Sequence, residues 1–173
     1  PVKKIRVFDF DDTLARTKSN VLYTMPDGAT GKLTAEEFAQ RGDEMLAEGA
    51  VWDFSEFNKV MDGKKGPLFK VAKKIQDARG TDDVFVLTAR APEASPAIKE
   101  FLDAIGLNLP IENISGLGDS SPFAKSNWIV DKAAEGYNDF YFADDHMANV
   151  KAVRDALEVL DVKSKTQQAK IKF

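Results

Sequence analysis

Two short runs hold the residues best able to do chemistry. In IRVFDFDDTLA, the apolar Ile5, Val7 and Phe8 lead into Asp9, Asp11 and Asp12, then Thr13 and Leu14. In FYFADD, an apolar run passes directly into Asp144 and Asp145. Side chains two apart on an extended backbone point the same way, so Asp9 and Asp11 can face one site while Phe10 packs elsewhere. Crowding carboxylates from two strand ends is costly unless a cation or a lysine compensates them. Their oxygens are hard ligands of the kind that suits Mg²⁺. Three other residues complement them. Thr88 closes the run VFVLT with a hydroxyl able to donate to an anion. Lys125, in SPFAKSNW, lies near a helix start. Arg90, in LTAR, carries a planar fork that suits a phosphate and equally suits pairing with an acid.

The elements that must position these groups are legible from hydrophobic periodicity. Ile5–Phe8, Val84–Leu87 and the run ending at Ala143 are continuous apolar stretches of strand length, as expected in a buried parallel sheet. Between them, Leu68, Val71, Ala72 and Ile75 recur at helical spacing, as do Ile98, Phe101, Leu102 and Ile105. SPFAKSNWIVDKAAEGY, with Trp128, Ile129 and Ala133 inward, and MANVKAVRDALEVL read as two more helices. Alternation of this kind predicts an α/β fold with a doubly wound parallel sheet and a site outside the strands' carboxyl ends. Residues 21–33 read as a hairpin around PDGATG. Thr34 with Glu37 three residues on marks the start of a helix, which Gly42 is expected to break or bend.

The run DFDDTL resembles the first motif of the haloacid dehalogenase superfamily, a hydrophobic strand followed by Asp-x-Asp-x-Thr-Leu, with Asp12 where many members carry glycine. Thr88, Lys125 and the FADD run follow in the order of that superfamily's second, third and fourth motifs. The resemblance implies a Rossmann-like core forming one hydrolase domain over residues 1–173, with a small cap or flap insertion, 15–66, between the first two motifs. It implies a Mg²⁺-dependent phosphomonoester hydrolase in which Asp9 is the nucleophile, forming an aspartyl-phosphate, and Asp11 is the general acid and then base. Thr88 and Lys125 would contact the phosphate. The metal would be held by Asp9, the backbone carbonyl of Asp11 and a fourth-motif acid. Asp145, followed by Asn149, is the preferred ligand, with Asp144 orienting waters or Lys125. Lys132 is the rival to Lys125 as the third-motif lysine, disfavoured because it sits well inside its helix.

Together DFDDTL, LTAR and FADD resemble polynucleotide 3′-phosphatase domains, where an arginine like Arg90 can contact substrate phosphate. A small cap implies an open site, able to take a nucleic-acid 3′-phosphate end. A nucleotide or sugar phosphate is the alternative substrate, and a noncatalytic phosphate- or partner-binding relic of the fold is the alternative from another class. Joint presence of Asp9 and Asp11 disfavours the relic. Without a Gly-rich loop ending in Gly-Lys-Ser/Thr, no attached kinase is expected.

Composition narrows the classes further. The chain has 173 residues, 43% hydrophobic and 30% charged, which suits one globular core and gives no sign of disorder. It has no cysteine, excluding disulfides and thiolate chemistry. A net charge of −4 argues against strong nonspecific attraction to nucleic acid. No apolar run is long enough to cross a bilayer and PVKKIRVFDF lacks a secretory leader's apolar stretch, so no membrane association and a cytoplasmic address are expected. Trp52, Phe54 and Phe57 read as core, with a base-stacking platform as the lesser alternative. His146 reads as a loop residue, and Lys163, Lys165, Lys170 and Lys172 as a frayed, solvated end.

Overall fold

The structure is a computed structural model and describes residues 1–170. The first strand, β1 (Lys4–Phe8), alternates its faces: Ile5 and Val7 point one way and Phe8 the other. After it the chain leaves the sheet. A ribbon of β2 (Ala15–Arg16), a hairpin of β3 (Val21–Thr24) and β4 (Thr30–Leu33), helix α1 (Ala35–Ala47) and strand β5 (Val51–Asp53) precede the return strand β6 (Lys64–Lys65). β2 and β6 pair antiparallel, fastening the two legs of the excursion together where the sequence places its limits, at Ala15 and Gly66. Gly66 is needed there, because a Cβ would lie 2.6 Å from the Ala15 nitrogen and 2.7 Å from the Thr13 oxygen.

The expected hairpin over 21–33 is present, and β5 adds a third antiparallel strand to it. α1 starts on the capping box foreseen at Thr34 and Glu37, with each side chain bonding the other's backbone N–H. Gly42 does not break this helix, which runs through it. It is buried within α1, where a Cβ would sit 2.9 Å from the Phe38 ring, so its role is close approach. Phe38 centres a small core of Val21, Leu33, Met45, Ala50 and Phe57, with Trp52 and Phe54 edge-on to its ring. The three aromatics are thus packing residues, and their stacking alternative falls away.

The chain then alternates: α2 (Phe69–Arg79), β7 (Val84–Thr88), α3 (Ser95–Ala104), β8 (Ile114–Gly116), α4 (Pro122–Ala134), β9 (Asp139–Asp144), α5 (Met147–Glu158) and β10 (Lys163–Gln168). The five-stranded sheet has the order β10-β9-β1-β7-β8, with all pairings parallel. Phe8, Val84 and Val86 pack against Phe69 and Ala72 of α2 and Ile98 and Leu102 of α3. Ile5, Val7, Phe85, Leu87, Phe140 and Phe142 meet Ile129 of α4 and Val153 and Leu157 of α5. Helices therefore cover both faces, as the continuous apolar strands require. The order runs outward from β1 in both directions, so the crevice beyond the carboxyl ends of β1 and β9 is the topological switch point.

β10 overturns one expectation. Lys163 and Lys165, expected in a frayed end, lie instead in an edge strand in register with β9 from Lys163 to Gln168. Backbone pairing holds it, and its lysines point outward as edge strands favour, so no apolar period announces it. Lys163 and Lys165 belong to this strand and Lys170 follows it, while Lys172 lies outside the described residues. Among the described residues, no helix is long and apolar enough to cross a membrane.

Candidate active site

Asp9 follows β1 directly, Thr88 ends β7, Asp144 ends β9 and Asp145 follows it, so parallel pairing brings all four to one sheet edge. Lys125 reaches the same edge from the first turn of α4. That helix begins on Ser121, whose side chain accepts from the Phe123 N–H, with Pro122 at its first position. The Lys125 Nζ lies 2.8 Å from Asp9 Oδ1 and 2.7 Å from Asp144 Oδ2, wholly buried. Lys132 points elsewhere, pairing with Glu135 and lying over the Phe85 and Trp128 rings. Asp144 accepts from three protein donors: Lys125, the Asn149 amide at 3.1 Å and the His146 N–H at 2.9 Å. His146 contributes its backbone here, at the start of α5, and its ring borders the pocket.

Charge in this cluster is unbalanced. Burial first, and then Asp144, push the Asp9 carboxyl above its ordinary range despite Lys125. Burial and the Asp9 charge push Asp145 up as well. Burial works against the charge of Lys125, but Asp144 and Asp9 outweigh it and hold the ammonium more firmly than usual. One cation thus faces three carboxylates. Asp9, Asp144 and Asp145 each offer an oxygen, all within 4.8 Å of one another, and the buried Asn149 Oδ1 beside them has no partner. An all-oxygen set with surplus negative charge fits a hard divalent cation. The Asp11 side chain is not part of this set; it turns to Arg90.

Arg90 does not reach the pocket as a free cation. It is 1% exposed and bonded to Asp11 through both arms, Nε to Oδ2 at 2.8 Å and Nη2 to Oδ1 at 2.7 Å. Of its two readings, pairing with an acid is the one observed, and the acid belongs to the site. Thr88 is also buried; its oxygen accepts the Arg90 backbone N–H at 3.1 Å, leaving its own proton to give.

The pocket above these groups is bounded by Ala35, Glu36, Phe38 and Ala39 of α1 and by Phe57. The excursion therefore borders the site on one side. Its volume is about 30 Å³, against roughly 10–15 Å³ for one water. Sequence reasoning missed Thr17 and Ser19, since isolated polar residues in an irregular stretch carry no period or motif, and Glu36, which reads as an ordinary acidic residue of a helix's first turn.

Asp12 sits at φ 60°, the left-handed region that favours glycine. Burial, then Asp11 and Glu36, raise its carboxyl to about 6. Asp12→Gly is expected to be more stable than Asp12→Ala by about 1 kcal/mol, the reverse of the order in a helix. Urea midpoints of the two variants measure this, and an Ala variant equal to or above the Gly variant would remove the strain argument.

Compared with known proteins, the chain matches no family model and no curated protein.

Proposed function

We propose that the protein is a metal-dependent phosphomonoester hydrolase of the haloacid dehalogenase type, with the excursion over 15–66 as its cap. The observation that carries this reading is the convergence of Asp9, Thr88, Lys125, Asp144 and Asp145 at one switch-point edge, with Lys125 bridging Asp9 and Asp144. Each group has work to do there. The Asp9 carboxylate attacks phosphorus; its new bond to phosphorus forms as the ester oxygen leaves with a proton from Asp11. Asp11 then takes a proton from water, whose oxygen bonds phosphorus as the bond to Asp9 breaks, returning the enzyme and free phosphate. Lys125 and the Thr88 hydroxyl stabilise charge on the phosphoryl oxygens. A carboxyl group has about four lone-pair sites; Arg90 takes two on Asp11 and Thr17 a third, leaving one that carries the proton in the first step and receives the water's proton in the second.

Asp9 and Asp145 would hold Mg²⁺, with the Asp11 backbone carbonyl, while Asp144, which accepts from three protein donors, orients Lys125. When bound, the metal would neutralise the surplus acid and polarise the phosphoryl group. As substrate we favour a small phosphomonoester over a nucleic-acid 3′ end, because Glu36 and Asp12, which line the pocket, make it acidic toward a polyanion. Phosphate release, with and without Mg²⁺, from sugar phosphates, mononucleotides, phosphopeptides and 3′-phosphorylated oligonucleotides tests the reading. Metal-dependent release, strongest on small substrates, is expected. Release from the oligonucleotide alone would overturn the substrate choice, and phosphate binding without release would favour the noncatalytic relic.

A further inference from the structure

Arg90 spends every donor it has inside the protein. A guanidinium carries five N–H groups in a fixed fork. Nε and one Nη2 proton take the two Asp11 oxygens, at 2.8 and 2.7 Å, and the other Nη2 proton takes Thr17 Oγ1 at 3.1 Å. Nη1 takes the backbone carbonyls of Phe57 at 2.9 Å and Lys59 at 2.7 Å. The guanidinium also lies 4.1 Å from the centre of the Phe57 ring. No proton is left for a substrate phosphate.

The partners are arranged in a pattern. Thr17 lies on the outgoing leg of the excursion, and Phe57 and Lys59 lie on the returning one. Ser19 ties the legs to each other, donating to the Lys59 carbonyl at 2.8 Å and accepting from the Met61 N–H at 3.0 Å. The Lys18 N–H bonds the Met61 carbonyl at 2.8 Å. Asp11 thus meets both legs through one buried side chain.

We propose that Arg90 is the positioning residue for the Asp11 carboxylate, and that it makes the placement of Asp11 depend on both legs of the excursion being docked. The excursion then controls proton transfer as well as access. The claim that Asp11 transfers protons rests on the hydrolase reading; the claim that Arg90 joins Asp11 to the legs does not. A lysine at this position keeps the charge but loses the fork, and so cannot hold two carboxylate oxygens and two carbonyls together.

The test uses Arg90→Lys, Asp11→Asn and the milder Ser19→Ala, which keeps the proposal testable if the lysine variant folds poorly. Amide exchange at Lys18, and at Met61 in the two variants that keep its Ser19 acceptor, is expected to quicken by about tenfold or more in Arg90→Lys and Asp11→Asn, and at Lys18 by less in Ser19→Ala. First-turnover rates on an alkyl phosphate, whose leaving oxygen needs a proton, are expected to fall by at least about tenfold more than on 4-nitrophenyl phosphate in Arg90→Lys, with KM nearly unchanged. Ser19→Ala should move that ratio in the same direction. Equal losses on both substrates with a raised KM would overturn the proposal and make Arg90 a phosphate ligand. Exchange at wild-type rates in Asp11→Asn would overturn the link to the legs. Absence of turnover by the wild-type protein would count against the hydrolase reading alone, since the exchange measurement still decides the link.

Discussion

Asp9→Asn is expected to lower phosphate release by about 10⁴-fold or more, because it removes the atom that bonds phosphorus and no neighbour can replace it. The fold should not suffer. Asparagine keeps an oxygen for the Lys125 ammonium, which bonds Asp9 Oδ1 at 2.8 Å, its NH2 replaces the Oδ2 that accepts the Thr13 hydroxyl at 3.3 Å and can donate to that hydroxyl instead, and one charge leaves a set with three acids and one base. Asp9 is already pushed toward its neutral form by burial and by Asp144, so the neutral isostere resembles the state the metal-free site prefers. Urea unfolding in EDTA should therefore place the variant within about 1 kcal/mol of wild type, or above it. A variant that loses activity only because it loses structure would not support the assignment, so the two measurements belong together.

Lys125→Met should do the opposite to stability. The side chain is buried and bonds two buried carboxylates, and methionine fills its volume while supplying no charge. Removing one member of a buried charged set leaves the others uncompensated, at a cost of about 3–5 kcal/mol. For a domain whose whole stability is about 5–15 kcal/mol, that is a large fraction. The deficit is electrostatic, so Mg²⁺ should recover part of it by occupying the acidic set, and the difference between midpoints in EDTA and in Mg²⁺ should be larger for the variant than for wild type. An unchanged midpoint in EDTA would show that the cluster disposes of its charge in another way.

The strand ends were legible because apolar runs that stop on carboxylates violate the ordinary alternation of buried and solvated residues, and Asp9, Asp144 and Asp145 stand out on that ground alone. Helix α1 was legible at its start, through Thr34 and Glu37, since capping is a local matter. What α1 lies against was not. Its docking over the pocket depends on the β2–β6 ribbon and on Arg90 holding the Phe57 and Lys59 carbonyls, long-range contacts with no sequence period. Arg90 shows the same limit from the other side: its residue type suits a phosphate, and only the geometry shows that Asp11 and the excursion have already claimed all its donors. β10 escaped because an edge strand can be built by backbone pairing with polar side chains throughout.

The central claim is that Asp9 carries the phosphoryl group between two steps. Its most direct test is acid quenching of the protein during turnover of a small phosphomonoester with Mg²⁺, followed by peptide mass analysis before and after hydroxylamine, which cleaves acyl phosphates. A hydroxylamine-sensitive phosphoryl group on the peptide containing Asp9, absent from Asp9→Asn, is the predicted result. Full turnover with no phosphoryl group on that peptide, and undiminished release by Asp9→Asn, would contradict it.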